Sequence, residues 1–146
     1  MVLRRLLGRG RDHVALLVDG PNVFRDEFDV DLADLREAGE SLGRLAVARV
    51  YFDVRAPSGL IQAAEAHGFA VRVTSGDVDV ALAVDATELV TAGTVDALAI
   101  ASRDMDFKPA LETAARHGVR TVVIAPGEHG RSEALPAVAD EAVLLG

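Results

Sequence analysis

The stretch Val14-Ala15-Leu16-Leu17-Val18-Asp19-Gly20-Pro21-Asn22 decides the fold class, because an uninterrupted apolar run leads directly into a polar turn. A short run that is apolar on both faces is typical of a strand buried inside a parallel sheet. Gly20, Pro21 and Asn22 are turn formers, so the strand is predicted to end at Asp19. The chain therefore begins its fold with a buried strand that carries a carboxylate and an amide at its carboxyl end.

Strand-like and helix-like segments alternate along the rest of the chain, up to a short terminal apolar run over 142–145. Apolar runs rich in β-branched residues predict further strands over residues 46–54, 69–74, 95–101 and 119–125. Helical spacing predicts helices that begin after Asp31, at Pro57, after Asp77 and at Asp106. Strands separated by helices of about 10–15 residues favour a parallel sheet with right-handed crossovers. We predict an α/β protein: a three-layer sandwich with a central, mainly parallel sheet of Rossmann-like topology.

Length and composition restrict the class of protein. A chain of 146 residues, half of them hydrophobic, suggests one domain with a sizeable core and excludes disorder over its whole length. The absence of cysteine excludes disulfides, zinc–thiolate sites and thiol nucleophiles. No apolar run approaches the roughly 20 residues of a membrane-spanning helix, so we expect a cytoplasmic protein with no membrane partner.

Charge is unevenly distributed along the chain. Residues 1–11 contain four arginines and no acidic residue, although the net charge of the chain is −8. We therefore predict a basic N-terminal extension over residues 1–12 and a single, acidic domain over residues 13–146. The negative balance does not exclude nucleic acid as a partner, because a local patch can bind it on an acidic protein.

Polar side chains follow the first and fourth predicted strands. Asp19 and Asn22 come after the first strand, and Ser102, Asp104 and Asp106 come after the fourth. With strand order 3-2-1-4-5 these strands are neighbours at the switch point of the sheet, so both loops meet in one crevice. Clustered carboxylates repel one another and raise each other's pKa, so such a cluster normally indicates a bound cation.

A further carboxylate comes from the helix after the third strand. On a helical wheel Asp79 falls inside the apolar stripe, in the first turn, where the helix dipole favours an anion. Asp85 falls beside the stripe, so its position on the wheel gives weaker support for a role in the site. Carboxylates without His or Cys favour Mg²⁺ or Mn²⁺ over zinc. One or two such ions can activate water for in-line displacement at a phosphodiester, with Asn22 and Ser102 orienting water or phosphate.

Three motifs occur in order along the chain: Asp19-Gly20-Pro21-Asn22, Gly76-Asp77-Val78-Asp79-Val80 leading to Asp85, and Ser102-Arg103-Asp104-Met105-Asp106-Phe107-Lys108-Pro109. Their order and spacing resemble the NYN domain family, the LabA-like branch of the PIN-like nuclease superfamily. The likeness covers essentially the whole chain and is strongest to the small archaeal stand-alone members of that family.

The resemblance implies a PIN-like sheet and a metal-dependent ribonuclease site with RNA as the partner. It implies that the catalytic, metal-binding carboxylates are those of Asp19, Asp79, Asp104 and Asp106. It further implies substrate-positioning roles for Asn22 and Ser102, and for Asp85, a position that is frequently acidic in the family. Asp77 departs from many relatives, which often carry a basic residue there.

Several of these acids also have purely structural interpretations. Asp19 can start a turn, and Asp77 and Asp106 can each cap the helix that follows. Acids in a first helical turn, such as Asp79, are common because of the dipole. Exposed basic side chains such as that of Lys108 are more often hydrated at the protein surface than in contact with a phosphate.

Two function hypotheses from different classes follow. The first is a metal-dependent ribonuclease that hydrolyses phosphodiesters within RNA by means of the Asp cluster. The alternative is a non-catalytic RNA- or protein-binding regulator that retains the acidic pocket, which the scarcity of basic residues near the site supports. A phosphatase is a third interpretation, but neither an Asp-x-Asp-x-Thr pattern nor a Walker loop occurs. The sequence leaves the oligomeric state open.

Overall fold

The computed structural model describes residues 12–24, 30–102, 107–126 and 139–145. Its strands are β1 (His13–Asp19), β2 (Arg44–Asp53), β3 (Ala70–Thr74), β4 (Ala97–Ala101), β5 (Arg120–Pro126) and β6 (Glu141–Leu145). Its helices are α1 (Gly20–Val23), α2 (Leu32–Glu40), α3 (Ser58–Ala66), α4 (Val78–Thr91) and α5 (Lys108–Arg116). The predicted basic extension falls outside the described residues, apart from Asp12.

The strands form one parallel sheet in the order β3-β2-β1-β4-β5-β6. This confirms the predicted α/β architecture and the order of the first five strands. The terminal apolar run, which was not predicted to be a strand, forms β6 beside β5. Successive strands are added on one side of β1 up to β3 and on the other side from β4 onward, so the switch point lies between β1 and β4.

Helices cover both faces of the sheet, because alternate residues of a buried strand point to opposite faces. In β1, Ala15 and Leu17 pack in the cluster that contains Leu82 of α4 and Leu111 of α5. Leu16, on the other face, packs in the cluster that contains apolar residues of α2 and α3. The result is the predicted three-layer sandwich. No helix in the described part of the chain is long and apolar enough to span a bilayer.

Helix α4 is fixed to the sheet through Asp85, whose side chain is only 7% exposed. Its carboxylate accepts hydrogen bonds from Tyr51 Oη at 2.7 Å, Arg49 Nη1 at 3.0 Å and Arg72 Nη1 at 2.9 Å. Arg49 and Tyr51 lie two residues apart on β2, and Arg72 pairs with Tyr51 from β3. A charge buried in this way is tolerated because cationic and hydroxyl donors surround it.

The structure places the Asp85 carboxylate among these donors, and the expectation that Asp85 positions substrate stays a prediction. The helical wheel placed it beside the apolar stripe, but its carboxylate points into the sheet and is bonded within the fold. Asp85 therefore acts as an anchor of α4 on β2 and β3.

Removing this anchor is expected to destabilise the protein. Replacing Asp85 by Ala leaves the Arg49 guanidinium and the Tyr51 hydroxyl without their buried acceptor, at a cost of about 3 kcal/mol in the free energy of unfolding. Urea denaturation of the wild type and of Asp85→Ala measures the difference. Glu88→Ala, an exposed acid on the same helix, is the control and should change the value by less than about 0.5 kcal/mol. Equal stability of Asp85→Ala and the wild type would contradict the assignment.

Tyr51 gives a second prediction, because it is the only tyrosine of the chain. Burial, followed by its hydrogen bond to Asp85, raises the pKa of the Tyr51 phenol above its ordinary value. The unfolded chain releases this proton first, so stability is expected to fall progressively as the pH rises above about 10 and towards the higher native pKa. Tyrosinate absorbance should appear at higher pH in the native protein than in denaturant, and Tyr51→Phe should remove this contribution to the alkaline loss of stability. Identical titration in both states would show that Tyr51 is not held as described.

Candidate functional site

A cleft of about 620 Å³ lies beyond the carboxyl ends of β1, β2 and β3. We call it the acidic cleft, and its described lining consists of Asp19, Pro21, Asn22, Asp53, Val54, Arg55, Ser75, Gly76, Asp77, Val78 and Asp79. Loops from three strands and the first turn of α4 contribute to it. This is the edge of a parallel sheet at which ligands usually bind.

Asp19 ends β1 and is only 5% exposed. Its Oδ1 accepts a hydrogen bond from the backbone N–H of Asn22 at 3.4 Å, and its Oδ2 accepts one from Ser102 Oγ at 3.3 Å. Ser102 is fully buried directly after β4, so this second bond joins the ends of β1 and β4 across the switch point. The structure thus brings Asp19, Asn22 and Ser102 together, as the strand order predicted.

The tight turn after β1 depends on Gly20, where α1 begins with Pro21 in its first turn. A Cβ on Gly20 would collide with the carbonyl oxygen of Tyr51 and the ring of Phe52. Glycine therefore allows the chain to pass directly over the end of β2. This close approach holds Asp19 and Asn22 against the neighbouring loop of the cleft.

Asp79 enters the cleft from the first turn of α4, as its position on the wheel predicted. It is half-buried, and its Oδ1 accepts a hydrogen bond from the N–H of Val80 at 3.0 Å. Asp77 occupies the N-cap position of α4, but its side chain makes no capping hydrogen bond to the described residues. Asp77 is instead exposed and lines the cleft, so the structure does not support the interpretation of its side chain as a cap.

Asp53 and Arg55, which follow β2 on the same edge, were not predicted as site residues. The Asp53 carboxylate accepts hydrogen bonds from the Arg55 N–H at 2.9 Å and from Arg55 Nη2 at 3.1 Å. These bonds hold the pKa of Asp53 below its ordinary value. Both residues could have been predicted from the strand order, because the carboxyl end of the second strand lies at the same edge of the sheet as those of the first and fourth.

Charge in the acidic cleft is strongly unbalanced. Its described lining contains the carboxylates of Asp19, Asp53, Asp77 and Asp79 but a single guanidinium, that of Arg55. The side-chain atoms that could coordinate a cation there are therefore carboxylate oxygens, which suit Mg²⁺ or Mn²⁺. Among the described residues no three His, Asp or Glu side chains group closely enough to hold a metal ion.

Two of the predicted metal ligands, Asp104 and Asp106, lie outside the described residues. They follow Ser102 in the sequence, and Ser102 itself contacts Asp19. The described part of the site therefore supplies two of the four expected carboxylates, from β1 and α4. Asp85 is not among the described residues that line the acidic cleft.

Comparisons with known proteins agree with this fold. A crystal structure of a protein of unknown function from Vibrio parahaemolyticus has a TM-score of 0.78 and 22% identity, covering 92% of this chain and 93% of that one. An uncharacterized protein of Methanocaldococcus jannaschii is 42% identical over 138 residues, 94% of this chain. The alignment spans only 57% of that relative's length. The NYN domain family matches residues 13–146, and the chain therefore belongs to this family.

Proposed function

We propose that this protein is a metal-dependent ribonuclease that hydrolyses phosphodiesters within RNA at the acidic cleft. NYN domains are generally nuclease-like. The observation that carries the proposal is the pair of carboxylates, Asp19 from β1 and Asp79 from α4, that line one cleft beyond the carboxyl ends of the parallel strands.

The charge of the cleft supports a role for cations. Four carboxylates and one guanidinium leave its described lining with a formal charge of −3. An RNA phosphate entering such a cleft is repelled unless bound cations reverse the local charge. The same acids that discourage direct RNA contact are therefore suited to bind it through Mg²⁺ or Mn²⁺.

In this proposal Asp19, Asp79, Asp104 and Asp106 hold the ion and form the catalytic group. A divalent cation bound there supplies a Lewis acid that activates water and offsets charge on the phosphodiester. Ser102 donates to Asp19 Oδ2 and so fixes the direction of its carboxylate, as outer hydrogen bonds do at metal sites.

The remaining polar residues act on the substrate. Asn22 offers an amide inside the cleft that can donate to a phosphate oxygen. Arg55 stands at the rim with its side chain 87% exposed and can approach the phosphate of an entering strand. We assign Asp85 no role in these steps, because its carboxylate is bonded to Arg49, Tyr51 and Arg72.

The scarcity of cations in the described cleft also favours a second candidate, a regulator that binds RNA or a protein without cutting. A single guanidinium gives few direct phosphate contacts. Such a protein would keep the acidic cleft for an ion or for structure. Metal binding and RNA cleavage, measured separately, distinguish the two candidates.

Metal binding is expected to depend on Asp79. Calorimetric titration with Mn²⁺ should show binding to the wild type and at least about tenfold weaker binding to Asp79→Asn, because a ligand is lost. Asp53→Asn is the matched control: it removes the same charge from the same cleft but affects a carboxylate bonded to Arg55. Equal weakening by both variants would mean that the ion responds only to overall charge, which would contradict the assigned ligands.

RNA cleavage is expected to require the same residue and the same ion. A single-stranded oligoribonucleotide labelled at both ends should yield internal products with Mn²⁺, and EDTA or Asp79→Asn should abolish them. Thermal unfolding of Asp79→Asn checks that the variant is folded. Binding without cutting would favour the regulator, and release of phosphate from mononucleotides alone would favour the phosphatase.

A further inference from the structure

A smaller cavity of about 210 Å³ lies beside the acidic cleft. We call it the apolar recess, and its walls are Gly20, Pro21, Phe24, Phe52, Ala56, Pro57 and Leu60, with Asp53 and Arg55 also in its lining. The recess lies between α1, the end of β2 and the start of α3. It is an apolar cavity with one ion pair, Asp53–Arg55, in its lining.

The recess and the acidic cleft are contiguous. Pro21, Asp53 and Arg55 line both cavities, so the recess borders the cleft at these side chains. An anionic group in the cleft would then lie a short distance from a flat or apolar group in the recess. A nucleotide has this combination, with a phosphate joined through a ribose to an aromatic base.

We infer that the apolar recess binds the nucleobase of the nucleotide whose phosphate enters the acidic cleft. The inference rests on the proposed function and adds to it a subsite for the substrate. The volume is below the roughly 300–1,000 Å³ of pockets for drug-sized ligands, which suits a single base.

Phe24 supplies the stacking surface. Its ring centroid lies 6.2 Å from that of Phe52 at an interplanar angle of 34°. Phe52 is 2% exposed and therefore holds Phe24 from within the fold, whereas Phe24 is only half-buried and lines the recess. Single-stranded nucleic acids bind proteins largely by stacking bases on such aromatic side chains.

The ion pair in the lining supplies polar contacts. Asp53 stays ionised because Arg55 donates to it, so its carboxylate can accept hydrogen bonds from the N–H groups of a base. Arg55 donates to base or phosphate oxygens from the wall shared by the two cavities. Asp53 and Arg55 are thereby the residues that would determine base preference, and Phe24 the residue that determines base affinity.

The test compares ligands with and without a base. Nuclear magnetic resonance titrations in saturating Mg²⁺ give the affinities of the four nucleoside 5′-monophosphates and of ribose 5-phosphate. Wild type should bind at least one nucleotide about tenfold or more tightly than ribose 5-phosphate, the range expected for one stacked base. Backbone signals of Phe24, Ala56 and Leu60 should shift with the nucleotide and not with ribose 5-phosphate.

Two variants alter the recess in opposite ways. Phe24→Ala removes the stacking surface, and Ala56→Leu fills the space while keeping Phe24. Each should reduce nucleotide affinity to that of ribose 5-phosphate, while affinity for ribose 5-phosphate and for Mn²⁺ stays unchanged. Val84→Ala, which shortens a 51% exposed side chain outside both cavities, is the control and should keep the wild-type preference.

The outcomes separate this inference from the proposed function. Equal affinity of wild type for nucleotides and ribose 5-phosphate, or a nucleotide preference that survives both variants, overturns the recess as a base site. If Mn²⁺ still binds through Asp79 in that case, the ribonuclease proposal stands. Absence of both Mn²⁺ binding and nucleotide binding overturns the two together.

Discussion

The burial of β1 at the centre of the parallel sheet is the constraint on which the rest of the structure depends. Every residue from Val14 to Val18 is completely buried, with β2 on one side and β4 on the other. The strand ends at Asp19, which therefore lies at the switch point between β1 and β4. Ser102 donates a hydrogen bond to its carboxylate there. The polar edge of the molecule is thus a consequence of its most apolar segment.

Asp79 and Asp85 lie on the same helix, α4, but have different surroundings because they lie at different distances along it. Asp85 binds donors on β2 and β3 and so fixes the helix to the sheet. Asp79 lies six residues earlier, about 9 Å along the axis, and faces the acidic cleft. A buried ion-pair network therefore holds in place the helix that presents Asp79, which separates the stability of the protein from its proposed chemistry.

Much of this arrangement could be predicted from the sequence, because apolar runs locate buried strands and strand order brings their ends together. The meeting of Asp19, Asn22 and Ser102 followed from that reasoning. The role of Asp85 did not, because a helical wheel gives a direction but not the donors it meets, and Arg49 is 36 residues away in sequence. Strand β6 was not predicted because a short terminal run becomes a strand only beside the edge of β5.

In the proposed ribonuclease, Asp19 and Asp79 bind one divalent cation. Anomalous diffraction from crystals grown with Mn²⁺ would locate this ion, because the signal comes from the ion itself. We expect a peak in the acidic cleft with carboxylate oxygens of Asp19 and Asp79 as ligands, at about 2.0–2.2 Å as for hard divalent ions. A peak held by other residues, with none between these two, would contradict it.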